Sequence, residues 1–459
     1  MSSTMLLLLG LAAVLAILAL IMKAKAHPFI AMIVVSIALA LVAGMPMAEV
    51  IPTLQAGMGK TLGSVALIVT LGAMLGRIVE VSGGAEVLAA ALLRKFGEKR
   101  AAWALGAASF IFGIPVFVDV ATIVLVPIVM AVARRMPGRV NMLTYALPTV
   151  IALLTVHVVL PPHPGIVGGS ELMGADVGMV LLLGFIPAIV MWIFGQALSG
   201  VITKRVFSAV PEIGSTAAGV HEEAGTDRSG EQLPSVGLVL AMIVVPLALI
   251  MSQTVSALTL PKGNSIRSFL SLVGASPAAL LIGVLLAIFF LGIRRGWNAG
   301  RIEDVVSSAL PATAAVILIT GAGGTFGYVL TQTGVAKAVA DALAGSGLPI
   351  LLLAYLMSAL IRAAQGSATV ATITTAPLLA PLAASTDLSV MQLALVTLAI
   401  GAGSMALSHV NDSLFWVWSR YYRVSTTDAL KSYTVCSTAT SIVGFLVICL
   451  LWPVVGLVS

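Results

Sequence analysis

Residues 361–377 read IRAAQGSATVATITTAP, from Ile361 to Pro377. The eleven residues before it, Ile350 to Leu360, are almost wholly apolar, so an arginine, a glutamine, a glycine and a run of hydroxyls sit at bilayer depth. A charged group there costs about 2.5 kcal/mol or more and survives where it meets a partner, water or a ligand. A second polar island, Ser408-His409-Val410-Asn411-Asp412-Ser413, follows about one hairpin later. The two islands read as half of a binding site.

The surroundings set the class. Of 459 residues 59% are hydrophobic and only 9% are charged, with a mean hydropathy of +1.12. That is too few charges to coat a soluble globule, and the chain reads as an all-α polytopic membrane protein. Apolar runs such as Thr4 to Met22, Phe29 to Gly44, Val236 to Met251, Pro277 to Leu291 and Ser437 to Leu451 approach the ~20 residues that cross a bilayer as helix. No long polar domain provides a soluble catalytic head. The net charge of +6 is scattered at span ends, as in cytoplasmic loops of membrane proteins and unlike a nucleic-acid surface. The two cysteines make neither a disulfide framework nor a metal site.

Taken in order, residues 1–60 hold two transmembrane helices and a loop containing Pro46, Pro52 and Gly57, which leads to a third span at Thr61 to Val79. Ala85 to Phe96 is too short to cross and reads as a helix lying at the interface. Residues 103–133 are apolar but interrupted by Gly113, Pro115 and Asp119, with basic residues at both ends. Entry and exit on one face make this a re-entrant hairpin, whose broken tip must be shielded by protein or water. Residues 145–169 cross with a break at His157 to Gly165. Residues 204–234, rich in Gly, Ser, Glu and Thr, form a cytoplasmic linker, and 235–295 carry two connecting spans.

The second half repeats the first. Gly72 to Gly76 matches Gly323 to Gly327, and Ser82-Gly83 matches Thr333-Gly334. The interfacial helix recurs as Ala336 to Leu343. Ala121-Thr122 and Pro127 of the first hairpin match Ala371-Thr372 and Pro377 of a second hairpin at 350–384. His157 matches His409 in a second broken helix at 390–420, and Asp176 matches Asp428, both expected as helix N-caps. The spacing stays between 250 and 252 residues throughout. With the amino terminus outside, 18 of the 24 Lys and Arg fall in cytoplasmic segments. The same orientation makes the third span run inward and its repeat, Pro311 to Leu330, run outward. The units 61–203 and 305–457 are therefore inverted repeats, an architecture that places substrate at the midplane between broken helices. Both termini are expected outside.

Among 18 carboxylates only Asp119 and Asp412 fall deep in expected membrane segments. One reading has one or both gain and lose a proton during transport, since a carboxylate withdrawn from water holds a proton more readily. The other has each cap a half-helix. The neighbours His409 and Asn411 favour the first reading for Asp412, and Asp119 stays balanced. His157, His163 and His409 either relay protons or donate from fixed neutral rings to carbonyls of unwound helix. No HxxxH spacing marks a metal site. Arg362 either forks onto a substrate carboxylate or pairs with Asp412. Gln365, Ser367, Thr369 and Thr372, with Gly366 allowing close approach, suit a ligand with several hydroxyls. Gly321 to Gly327 lacks the strand and lysine of a nucleotide loop and reads as a helix-packing surface. Without a nucleotide motif, transport is driven by an ion gradient or is passive.

At Gly321 to Gly327 (GAGGTFG), Arg362 to Val370 (RAAQGSATV), Ser408 to Asp412 (SHVND) and Phe112 to Asp119 (FGIPVFVD) the chain resembles the gluconate permease family of bacterial inner-membrane proton symporters, over essentially its whole length. The resemblance implies uptake of gluconate or a related sugar acid, without a cofactor; relatives carry idonate, fructuronate, glycerate or D-serine. It is also similar to the wider ion-transporter superfamily, which implies a homodimer and an elevator motion. Sodium-coupled members of that superfamily carry Ser-Asn-Thr at their hairpin tips; Gly-Ser-Ala-Thr and Val-Phe-Val-Asp here favour protons. The expected mechanism is symport. The substrate set is Arg362, Gln365, Gly366, Ser367, Thr369, Asn411, His409, His157 and Thr122, with Asp412, ahead of Asp119, as the proton carrier. A passive channel would need a continuous polar stripe through several spans. An intramembrane hydrolase would need a third partner for the adjacent Ser408 and His409, so no enzyme is expected.

Overall fold

The computed structural model describes residues 2–136, 140–210, 233–338, 349–410 and 412–457. Every named element among them is helical. Eight of these helices are long and apolar enough to cross a membrane. Seven are expected spans, and the eighth, Ala368–Ser385, is the second arm of a hairpin.

The interruptions fall where glycine, proline and polar residues interrupt the apolar runs. The first hairpin has arms Ala101–Gly113 and Val118–Arg135. The second has arms Ile350–Gln365 and Ala368–Ser385. The first broken span is Leu143–Val159 followed by Pro164–Met173, and the second is Val390–Ser404 followed by Ser413–Tyr421. The short helix Gly84–Phe96 begins after Gly83, whose φ of 90° is matched by 76° at Gly334. Of the expected recurrence at 336–343, residues 339–343 lie outside the described residues, as do 211–232 of the linker.

Two expectations differ from the structure. The stretch around Pro52 and Gly57 is not a loop: one helix runs Met47–Val81, 35 residues. Proline removes one main-chain donor, which a membrane helix tolerates when its neighbours are close, and here the neighbour is very close. A side-chain carbon on Gly57 would stand 2.7 Å from Cβ of Tyr328, so the third span and its repeat Leu310–Gln332 touch nearly backbone to backbone. Thr325 ties them further by donating to the Leu54 carbonyl at 3.3 Å. The second difference concerns caps. Asp176 does cap its helix, accepting from the Met179 N–H at 2.7 Å. Asp428 does not: Ser425 is the cap, and Asp428 sits in the first turn, where its Oδ2 accepts from the Ser425 hydroxyl at 2.7 Å.

Packing carries the same exchange twice. The second arm of the first hairpin lies against Ser413–Tyr421, and the second arm of the second hairpin lies against Pro164–Met173. In the latter, Gly165 and Gly169 face Thr369 and Thr372, where any added Cβ would stand 3.1 and 2.7 Å from the arm. The first arm of each hairpin packs on the broken span of its own half and the second arm reaches the broken span of the other, so all four interruptions meet in one region. The N-terminal helices Ser3–Met22 and Pro28–Val42 pack outside this, in a separate apolar cluster with Ile319, Phe326, Val370 and Ile373.

Candidate functional site

Gly366 takes a φ of 91°, open to glycine at little cost, and its N–H bonds back to the Arg362 carbonyl at 2.9 Å, ending the first arm of the second hairpin. Ser367 then caps the second arm, accepting from the Val370 N–H at 3.3 Å. The chain reverses within two residues. This reversal turns Arg362 toward the second broken span, where it is 1% exposed.

Asp412 caps the half-helix Ser413–Tyr421 and is also buried. Its Oδ1 accepts from the Leu414 N–H at 3.0 Å. Its Oδ2 lies 2.6 Å from Arg362 Nη2 and accepts from the hydroxyls of Ser408 and Tyr433, the latter at 3.3 Å. Arg362 Nη2 also donates to Ser408 at 2.8 Å, and Nη1 donates to the Gly366 carbonyl. Of the two sequence readings of Arg362, the pair with Asp412 is the one formed. Its Nε is buried and finds no hydrogen-bond partner among the described residues.

Beside this pair lies a cavity of about 350 Å³, lined from both halves. A volume of ~300 Å³ or more is the range of small-ligand pockets. Phe117 to Val120 come from the first hairpin, Ser367 to Val370 from the second, His157 from the first broken span, and Asp412 to Leu414 from the second; Arg362 also reaches its wall. Asp119 and Thr369 hold equivalent places, each the second residue of its hairpin's second arm. Asp119 Oδ1 is buried with no hydrogen-bond partner among the described residues. One carboxylate at the cavity is therefore fully engaged and the other is not.

Of the residues expected from sequence, Arg362, Ser367, Thr369, His157, Asp119 and Asp412 converge on this cavity. His409 is turned to the hairpin instead, its Nε2 3.1 Å from the Ala363 carbonyl. Thr122 is buried, and its hydroxyl donates to its own helix at the Val118 carbonyl, 2.7 Å. Gly366 contributes its turn and its carbonyl. Asn411 lies outside the described residues, and only the main chain of Gln365 is described. Sequence reasoning left out Ser408 as a ligand of the pair and Tyr433 altogether. Tyr433 lies in a π turn, Leu430–Thr434, whose sequence LKSYT precedes the apolar run Ser437 to Leu451, so the tyrosine reads as a residue ahead of the span. Of the two readings of His163, a relay or a ring fixed to a carbonyl, the contact formed is the second, to the Gly113 carbonyl at 2.7 Å; His163 is also the first break's counterpart of Asp412, each being the residue preceding its half-helix.

Comparison with known proteins gives consistent results. The family described as GntP family permease matches residues 5–455. The inner membrane permease YgbN of Escherichia coli is 43% identical over 99% of this chain and 100% of its own length. A gluconate permease of Pseudomonas aeruginosa is 36% identical over 97% of each chain. The high-affinity gluconate transporter of E. coli is 36% identical over 95% of this chain and 97% of its own. Among solved structures, the Alcanivorax borkumensis YdaH transporter, described as having an unusual topology, superposes with a TM-score of 0.64 at 16% identity, covering 93% of this chain and 98% of that one. At that identity the likeness is one of fold.

Proposed function

This chain belongs to the GntP family of permeases, a family of transporters and not of enzymes, and on that premise we propose that it imports gluconate or a closely related sugar acid across the bacterial inner membrane by proton symport. The observation that carries the reading is Arg362 Nε, a buried N–H on a cation at a cavity wall, without a partner among the described residues. Such a donor is satisfied by an oxygen from a ligand, and a carboxylate is the strongest acceptor for it.

The coupling follows from charge. Arg362 and Asp412 cancel one another at 2.6 Å, so an ionised Asp119 leaves the cavity at minus one. An incoming carboxylate is repelled by that charge, at a depth where water screens little. A proton on Asp119 removes the repulsion, so proton and anion bind together. Asp119, the carboxylate with the open oxygen, is the proton carrier, and Asp412 holds the guanidinium in place. One proton with one monoanion moves no net charge, and uptake then follows the pH gradient and not the potential, which acts at ~2.3 kcal/mol per charge per 100 mV. Ser367, Thr369 and His157 receive the hydroxyls, with Gln365 and Asn411 assigned to the same role from sequence.

The distribution of basic residues supports an amino terminus outside, and the resemblance to the wider ion-transporter superfamily supports a homodimer whose hairpins and broken spans move as a unit against the close-packed third-span pair. Counterflow of labelled gluconate in proteoliposomes tests the reading. Saturable exchange of unmodified substrate supports a carrier; flux that rises without limit sinks it in favour of a channel.

A further inference from the structure

The first break holds a chain of polar contacts that the ion pair does not touch. His163 Nε2 lies 2.7 Å from the Gly113 carbonyl, at the end of the first hairpin's first arm. His163 Nδ1 lies 3.3 Å from His157 Nδ1, and His157 Nε2 lies 3.5 Å from the Thr369 hydroxyl. Both rings are buried, with centroids 4.8 Å apart in an edge-on arrangement.

The direction of every bond follows from one end. A carbonyl can only accept, so His163 Nε2 carries the hydrogen. In a neutral imidazole the other nitrogen is then bare, and His163 Nδ1 accepts. His157 Nδ1 must donate to it. That leaves His157 Nε2 bare on the ring that lines the cavity. Its contact with Thr369 is at the outer limit of a hydrogen bond, so a better-placed donor displaces it readily.

We infer that His163 is a positioning residue for the sugar-acid site: anchored to the Gly113 carbonyl, it fixes the tautomer of His157 so that Nε2 meets the cavity as an acceptor, committing that wall to a ligand hydroxyl. This rests on the sugar-acid reading above. It adds a selection rule, because an oxo group or a second carboxylate at the same place brings only lone pairs and is rejected. The equivalent break of the other half recognises charge; this one recognises a donor.

The test uses the full-length protein in proteoliposomes with gluconate, the set of single-deoxy gluconates and the matching keto acids. In the wild type, one position should show at least a 10-fold loss of kcat/KM in counterflow for both the deoxy and the keto analogue. His163→Gln offers an amide oxygen to His157 and an N–H to Gly113, and should keep that penalty. His163→Leu frees the ring to adopt either tautomer, so the keto penalty should fall below 3-fold while gluconate still binds by calorimetry. The inference is overturned if the leucine variant keeps the penalty, if both variants lose it alike, or if the folded leucine variant binds no sugar acid at all. A wild type that carries gluconate with no positional penalty overturns the inference alone. A wild type that carries no sugar acid removes the substrate reading first and the inference with it.

Discussion

Arg362 and Asp412 stand 50 residues apart in the chain, each beside an interruption in a different helix, and their side chains meet at 2.6 Å with almost no exposure to solvent. Removing one member of a buried pair leaves the other charged and unmatched, which costs about 3 to 5 kcal/mol.

Asp412→Asn and Arg362→Gln should each lower the melting temperature in detergent and abolish gluconate uptake. The double variant Arg362→Gln/Asp412→Asn should recover most of the stability and none of the transport. Uptake by the double variant would show that the guanidinium does not hold the substrate.

Asp119→Asn mimics a permanently protonated carrier. Exchange of labelled gluconate should persist, and its apparent affinity should no longer weaken as pH rises. Accumulation driven by a pH gradient should vanish. A variant that still accumulates substrate against its gradient would move the proton to another group.

Gly57→Val adds three carbons, the first of them 2.7 Å from Cβ of Tyr328, and overpacking of this kind costs on the order of 1 to 3 kcal/mol. Gly59 has nothing within 4 Å of its would-be side chain, so Gly59→Val should melt close to the wild type. Equal melting temperatures for the two variants would contradict the close approach of the third span to its repeat.

Single cysteines at Lys95 and Lys337 report the inversion. In intact cells a membrane-impermeant maleimide should label Lys337→Cys and spare Lys95→Cys, which should react only in inverted vesicles. Labelling of both from one side would end the inverted-repeat description.

Much of the architecture was legible because breaks in apolar helices have few causes. Gly113 with Pro115, the proline-rich run after His157, Gly366 and Ser408 to Asp412 all mark interruptions, and the chain is broken at each. Prolines gave a weaker signal: Pro52 reads as a loop residue, yet the helix continues through it because Leu310–Gln332 packs alongside. The chemistry was half legible. An intramembrane arginine announces a partner without naming it, and the sequence favoured a ligand carboxylate over Asp412 until the turn at Gly366 fixed where the guanidinium points. Thr122 shows the converse limit, since a hydroxyl in a membrane helix reads the same whether it faces a ligand or its own backbone. Tyr433 was out of reach, because only the π turn at Leu430–Thr434 carries its hydroxyl to Asp412.

The duplicated module did not keep the same chemistry twice. One interruption presents a guanidinium bound to a carboxylate, the other a pair of imidazole rings of which His163 meets a main-chain oxygen and His157 faces the chamber that both interruptions border. A molecule lying across that chamber has a head and a tail even where the scaffold has none. Cargo with identical ends gains nothing from such a room, whereas the sugar acid proposed above, with its carboxylate at one end and hydroxyls along the other, would use both walls in a single orientation.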